Sequence, residues 1–316
     1  MKALIVGSSG QDGRLLAEQL TERRFDVYGI NRAGLHTAGT TQTELCDIEN
    51  SADVLRAIAN IKPDRVFYVA AYHGSSEAIE VDEVTLLSRS LAVNAHALQN
   101  FLAALDTQHR QGRLIYAASS RVFGKVKVTP QDETTEISPV CSYGISKVAG
   151  MRHIHQYRAQ GLHASTAILY NHESAYRAPQ FVTQRVVRAV VAIERGESKE
   201  LVLADLDAIV DWGYAPEYTE AMIGILDHAR ADDFVVATGT GHTVRDLVAA
   251  AFDYAGLQWE HTVRIDCSRV QPPLSEVPIV GNSAKLFSAT GWRARTDLSG
   301  IVRIMIDAER ERRWQA

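Results

Sequence analysis

The chain has little cysteine and no strong charge of either sign. Cys46, Cys141 and Cys267 are its three cysteines, odd in number and far apart. That pattern predicts neither a disulfide framework nor a zinc site, and it fits a reducing, cytoplasmic compartment; no metal is expected. Lys and Arg total 33 against 38 Asp and Glu, a formal net charge of −5. A protein that coats nucleic acid or an anionic membrane carries the opposite balance, so neither is an expected partner. No apolar run approaches the ~18 residues that span a bilayer. Met1-Lys2 leads at once into Ala3-Leu4-Ile5-Val6 and a glycine turn, where a signal peptide would need a longer apolar stretch. Aromatics make up only 7%, yet 46% of residues are hydrophobic and 22% charged. Disorder and fibrous repeats are excluded, and 316 residues suffice for one large domain or two modest ones.

Short apolar runs alternate with helical patterns through the first half. Ala3–Val6, Val27–Ile30, Val66–Ala71, Leu114–Ala118 and Ala164–Tyr170 read as strands. Between them, Leu15, Leu16 and Leu20 share a helix face, and Ala52–Ile61, Leu86–Leu105 and Tyr143–Arg158 have helical spacing. Strands without polar alternation are buried on both faces, which predicts an α/β fold of Rossmann type with a doubly wound parallel sheet. After Asn171 the pattern changes: a helix over Phe181–Arg195, a short strand at Leu201–Leu203, loops, and a short helix at Ala284–Thr290. We expect a dinucleotide-binding domain over 1–170 and a smaller, interleaved, mainly substrate-binding region over 171–316.

Gly7-Ser8-Ser9-Gly10-Gln11-Asp12-Gly13 is a G-x-x-G-x-x-G turn that follows the first strand and opens the first helix. Glycines there let backbone approach a pyrophosphate at the helix N-terminus. Asn31-Arg32 ends the second strand. An acidic residue there would bind the ribose 2′-hydroxyl of NAD, whereas an arginine accepts the 2′-phosphate of NADP, so Arg32 tilts the cofactor to NADP. Glu44-Leu45 or Asp47-Ile48 could edge an adenine pocket, and the sequence does not separate them.

Tyr143 and Lys147 form Y-x-x-x-K, a spacing that puts both on one helix face. A free tyrosine titrates near ~10. A neighbouring ammonium favours the phenolate, so Lys147 is expected to lower the Tyr143 pKa and hold the nicotinamide ribose. Tyr143 could then move the proton of a sugar hydroxyl while hydride passes to or from nicotinamide. Upstream, at a strand end, lie Ser119 and Ser120, whose hydroxyls could bond the same substrate oxygen.

Taken together, these residues resemble the extended short-chain dehydrogenase/reductases that act on nucleotide sugars, and among them the GDP-mannose 4,6-dehydratases. The motifs carrying the resemblance are Gly10-Gln11-Asp12-Gly13, Phe123-Gly124-Lys125-Val126, Tyr143-Gly144-x-x-Lys147, Asn171-His172-Glu173-Ser174, Phe181-Val182-Thr183, Asp211-Trp212-Gly213 and Gly291-Trp292. The resemblance implies that Val69, Ala70, Ala71 and His73 lie along the cofactor and that His172 and Arg177 contact it. It implies that Ser120, Asn171, Val182 and Arg185 line the nucleotide-sugar site. It further implies a homodimer or homotetramer, with helices Leu86–Leu105 and Tyr143–Arg158 at the dimer face.

One departure bears on the chemistry. The family carries Ser-Thr-Ser-Glu where this chain reads Ala118-Ser119-Ser120-Arg121. In the dehydratases that glutamate takes the C5 proton so that water can leave from C6. An arginine stays protonated and cannot be that base, though its fork would attract a carboxylate or phosphate. A second arginine usually follows the one matched by Arg32; here Ala33 stands there, which keeps NAD open as the cofactor. The expectation is an NADP-dependent oxidoreductase on a GDP-linked sugar, exchanging hydride at C4 with Tyr143 as acid/base. Alternatives are a 4-keto-sugar reductase or epimerase, a dehydratase using Glu133, Glu173 or His73 as substitute base, or a non-catalytic NADP-binding protein.

Overall fold

The computed structural model describes residues 1–37, 43–73, 82–266, 268 and 277–312, with the backbone alone at 43 and 44. In chain order the elements begin with β1 (Lys2–Val6), α1 (Gln11–Glu22), β2 (Asp26–Asn31), β3 (Gly34–Thr37), β4 (Thr43–Glu44), α2 (Ser51–Ile61) and β5 (Arg65–Tyr68). Next come α3 (Glu83–Leu91), a π-helical turn (Ala92–His96), α4 (Ala97–Gln108), β6 (Arg113–Ser119), a 3₁₀ turn (Ser120–Val122), α5 (Ser142–Ala159), β7 (Ala164–Leu169) and β8 (Asn171–Glu173). The remainder is α6 (Val182–Glu194), β9 (Leu201–Leu203), β10 (Ile209–Tyr214), α7 (Ala215–Asp227), β11 (Asp233–Val236), β12 (Gly241–Thr243), α8 (Val244–Tyr254), β13 (Val263–Ile265), α9 (Ala284–Thr290) and α10 (Leu298–Arg312).

The main sheet has the order β11-β7-β6-β5-β1-β2-β3-β4. From β11 to β2 the pairs are parallel, as the apolar runs predict. The far edge is not: β3 and β4 add antiparallel to β2. This hairpin is an antiparallel addition at the edge of the expected parallel sheet. Residues 34–37 are too short and mixed to show strand periodicity, and Gly34, at φ +121°, makes the reversal after Asn31 possible. Ala3 to Val6 are fully buried, so β1 is the centre of the core. Helices α2, α4 and α5 pack together, as do α1 and α7, and the sheet lies between the groups.

Chain order and spatial order part company after β8. Strand β11 and helix α7 come late in the chain yet pack on the first apolar cluster. A second cluster gathers Val186, Val187 and Val190 of α6, Leu247 and Phe252 of α8, and Ile301 and Met305 of α10. Strand β10 lies parallel to β8 and antiparallel to β12. Its Asp211 is 1% exposed and accepts bonds from the Thr238 amide and hydroxyl and from the Gly239 and Gly281 amides. That carboxylate clamps two loops together, so the Asp-Trp-Gly motif is structural. No described helix is long and apolar enough to cross a membrane.

Candidate functional site

The site grows from the C-terminal ends of β1, β5 and β6. A Cβ on Gly7 would lie 2.6 Å from the Ala70 nitrogen, and Gly7 holds φ at +99°. One on Gly13 would lie 2.3 Å from the Gly7 carbonyl oxygen. Both contacts are with backbone, which cannot yield, so only glycine fits. Gly10 caps α1 without a side chain, leaving first-turn N–H groups available. Bare backbone at a helix N-terminus is a cradle for a pyrophosphate, and these residues fit a dinucleotide. Arg32 is exposed just beyond β2, in a turn where Asn31 Oδ1 accepts the Ala33 amide. Leu45 is 86% exposed, and the Glu44 side chain lies outside the described residues. Two polar atoms near the end of β2 were not foreseen: among the described residues, Ser8 Oγ and His36 Nδ1 are buried without hydrogen-bond partners. Gly29 admits both, since a Cβ there would meet His36 Nε2 at 2.6 Å and Ser8 Cβ at 2.7 Å.

Tyr143 and Lys147 project from the first turns of α5, which is capped by Cys141 Sγ accepting the Gly144 amide. Lys147 is 1% exposed and donates to the Ala117 carbonyl at 2.7 Å, pinning α5 to the end of β6. Its Nζ stands 4.8 Å from the Tyr116 ring centre and 5.5 Å from that of Tyr143. Ser119 ends β6, and its Oγ accepts the Arg121 amide. Gly144 packs on the Arg121 carbonyl, where a Cβ would come within 2.6 Å, so the turn bearing Arg121 is seated against the residue after Tyr143. The predicted Ser119, Tyr143, Lys147 and Arg121 therefore share one wall.

Burial dominates the electrostatics of that wall. Burial pushes the Tyr143 phenol up, Asp12 adds to this, and Arg177 and Arg121 pull it down. Desolvation lowers the Lys147 pKa to about 7, so its charge is weakened at neutral pH. His73 stacks edge-on against Tyr143 at 4.5 Å between ring centres, and burial together with Arg121, Arg177 and Lys147 lowers its pKa to about 4. It is a neutral imidazole at neutral pH.

The second wall comes from β8 and the loop into α6. His172 bridges two acceptors: one ring nitrogen lies 2.7 Å from the Tyr170 carbonyl and the other 3.0 Å from Asp12 Oδ1. A neutral ring carries a single N–H, so donating to both requires the imidazolium. Burial opposes that charge, but Asp12 prevails and raises the His172 pKa. Burial likewise would raise Asp12, yet His172 holds it below its ordinary value. Gln11 donates to the His172 carbonyl and accepts the Ser174 hydroxyl. The side chains of Gln11, Asp12 and His172 thus lock α1 to β8. Glu173, 1% exposed, accepts from Thr183 at 2.5 Å and lies 3.1 Å from Arg177 Nε. Arg177 stacks over Phe181 at 3.6 Å. Asn171 is exposed, Val182 opens α6, Arg185 donates to the Val202 carbonyl, and Ser120 is buried. Val69 and Ala70 are partly buried and Ala71 exposed, all following β5.

Of the substitute bases, only His73 touches the Tyr143 wall. Glu173 is engaged as described. Glu133 accepts the Val235 amide on the sheet's edge strand and lines a cavity of about 460 Å³ with Asp132, Thr134, Asn282, Ala284 and Lys285. Asn94 was missed from the sequence. It sits in the π-helical turn, fully buried, accepts the Tyr72 amide, and donates to the Tyr72 carbonyl and Ser146 Oγ. It joins the loop bearing His73 to the helix bearing Tyr143. A polar residue inside an apolar helical run was its available signal. Among the described residues no cluster of His, Cys, Asp and Glu could hold a metal ion.

Comparison with known proteins places this geometry. The family profile described as GDP-mannose 4,6 dehydratase matches residues 4–305. GDP-mannose 4,6 dehydratase 1 of Arabidopsis thaliana is 33% identical, over 98% of this chain and 90% of its own. The Homo sapiens GDP-mannose 4,6 dehydratase is 30% identical, over 98% and 91%. The solved structure of RMD from Pseudomonas aeruginosa, complexed with NADPH, superposes with a TM-score of 0.82 at 21% identity, over 98% of each chain.

Proposed function

The chain belongs to the GDP-mannose 4,6-dehydratase family, and from that premise we propose that it exchanges hydride at C4 of a GDP-linked sugar without eliminating water. The observation that carries the proposal is the Tyr143, Lys147 and Ser119 set standing intact on one wall with Arg121, a residue that cannot remove a proton. The cofactor is NADP, with NAD possible; bound in the cleft, its nicotinamide supplies or accepts the hydride. Gly7, Gly10 and Gly13 would pass its pyrophosphate along bare backbone, and Arg32 would meet the 2′-phosphate.

The protein's own groups do the proton work. As C4–H leaves with its electron pair, the C4 hydroxyl proton passes to the Tyr143 phenolate, and a C4 ketone remains; the reverse protonates the alkoxide. Ser119 donates its hydroxyl hydrogen to the same oxygen. Arg121 and Arg177 favour the phenolate against burial. Lys147 fixes α5 against β6 and presents Nζ beside Tyr143. Residues 1–170 form the dinucleotide half and 171–316 most of the sugar-nucleotide half. The working form is a cytoplasmic homodimer or homotetramer.

A second reading has one supporting observation. His73 is neutral and in contact with Tyr143, so it could take the C5 proton in place of the lost glutamate. Mass spectrometry of the purified protein with NADP and GDP-mannose separates the two. Hydride exchange alone changes the sugar by two hydrogens, whereas elimination removes a water. Water loss would overturn the first reading.

A further inference from the structure

The cations around Tyr143 are satisfied with one exception. Lys147 donates to the Ala117 carbonyl. Arg177 is paired with Glu173 and stacked on Phe181. His172 is held between Asp12 and the Tyr170 carbonyl. Arg121 is exposed, and among the described residues its guanidinium has no hydrogen-bond or ion-pair partner. Its backbone is nonetheless fixed, with its amide on Ser119 Oγ and its carbonyl against Gly144. Both anchors adjoin acid/base residues, and its charge is felt at Tyr143 and at His73.

We infer that Arg121 is a substrate-recognition residue whose partner is a carboxylate on the sugar, making the substrate a nucleoside diphosphate hexuronate. The inference rests on the C4 hydride-exchange reading above, which puts C4 at Tyr143 and Ser119. In a hexopyranose the diphosphate hangs from C1, across the ring from C4, so Arg121 beside C4 is on the wrong side to serve it. The neighbours of C4 are C3 and C5, and only C5 bears an exocyclic carbon that can be a carboxylate. A guanidinium fork matches a carboxylate with two parallel N–H···O bonds. A neutral CH₂OH would leave Arg121 desolvated and unpaired when the sugar closes over it, which is costly.

The test is calorimetric binding to NADP-loaded Tyr143→Phe protein, which binds without turning over. The probes are GDP-mannose and GDP-mannuronate, with the uridine pair UDP-glucose and UDP-glucuronate alongside and each nucleoside diphosphate alone as control. The uronate of at least one pair should bind about tenfold or more tightly than its neutral partner, a difference of ~1.4 kcal/mol. Adding Arg121→Gln should abolish that preference, with the uronate losing affinity and the neutral sugar binding no more weakly than before. Arg121→Lys, which keeps the charge without the fork, should retain part of it and covers the case in which the glutamine variant does not fold. Equal or weaker uronate binding in both pairs, no binding beyond that of the bare diphosphate, or a preference indifferent to Arg121 would overturn the inference. Hydride transfer by wild-type protein is scored separately. An Arg121-dependent preference without transfer refutes the redox reading alone, and transfer to neutral sugars without a preference refutes this one alone.

Discussion

Replacing Asp12 by asparagine tests whether the lock between α1 and β8 is ionic. The pair is well buried, with side-chain exposures of 12% for His172 and 18% for Asp12. A hydrogen bond to a charged partner contributes ~1.5–3 kcal/mol. The amide that replaces the carboxylate could still accept a bond but would no longer offset the buried imidazolium. Burial and Arg177, which both push the His172 pKa down, would then leave the ring neutral with one N–H for two acceptors. At roughly 2 °C per kcal/mol for a chain this long, the melting temperature should fall by about 3–6 °C. The sign of the pH dependence follows from the shifts. The raised His172 pKa stabilises the fold below its unfolded value of ~6.5 and that contribution is lost as pH rises through the folded value. The lowered Asp12 pKa stabilises above its unfolded value of ~3.9 and is lost as pH falls through the folded one. The wild-type advantage should therefore peak between about pH 4 and 6.5 and shrink toward pH 9. Differential scanning fluorimetry of both proteins across that range measures it. A difference constant from pH 5 to 9, or a more stable variant, would refute the ionic lock.

Other expectations follow from the same geometry. Gly13→Ala forces a methyl into the Gly7 carbonyl, so it should cost ~1–3 kcal/mol in urea unfolding and weaken NADP binding by about tenfold or more. Arg32→Ala should lower NADP affinity about 10–100-fold by fluorescence titration and leave NAD affinity unchanged, because only the 2′-phosphate meets the arginine. His73→Ala should change the rate of hydride exchange by less than about tenfold, since the proton moves through Tyr143; a drop of about 100-fold or more would give His73 the role of base.

The parallel core was legible in the sequence because β1, β5, β6 and β7 each carry a run of consecutive buried residues without polar alternation, flanked by helices of ordinary period. The glycine turn was legible because its three glycines fall directly after β1. The β3–β4 edge was not, since strands this short carry no period. Helix α7 was missed for the opposite reason: Tyr218, Ala221, Met222, Ile223, Ile225 and Leu226 are all buried, so it lacks a polar face to mark its turns. The Asp12–His172 lock joins residues far apart in the chain, and no local pattern announces it. The spacing of Tyr143 and Lys147 was legible, but their burial, which lowers the lysine and raises the tyrosine, was not. Arg121 was legible as a lost base. That it stands beside Tyr143, with no side-chain partner among the described residues, needed the fold.

The most direct test of the central claim uses sugar nucleotide deuterated at C4, the neutral hexose and the uronate in parallel, incubated with NADP and read by mass spectrometry of the cofactor. The account predicts deuterium on the nicotinamide, a sugar that keeps its oxygen, and a rate about 10²–10⁴ lower in Tyr143→Phe. Unlabelled cofactor from every sugar, or full labelling by Tyr143→Phe at the wild-type rate, would contradict it.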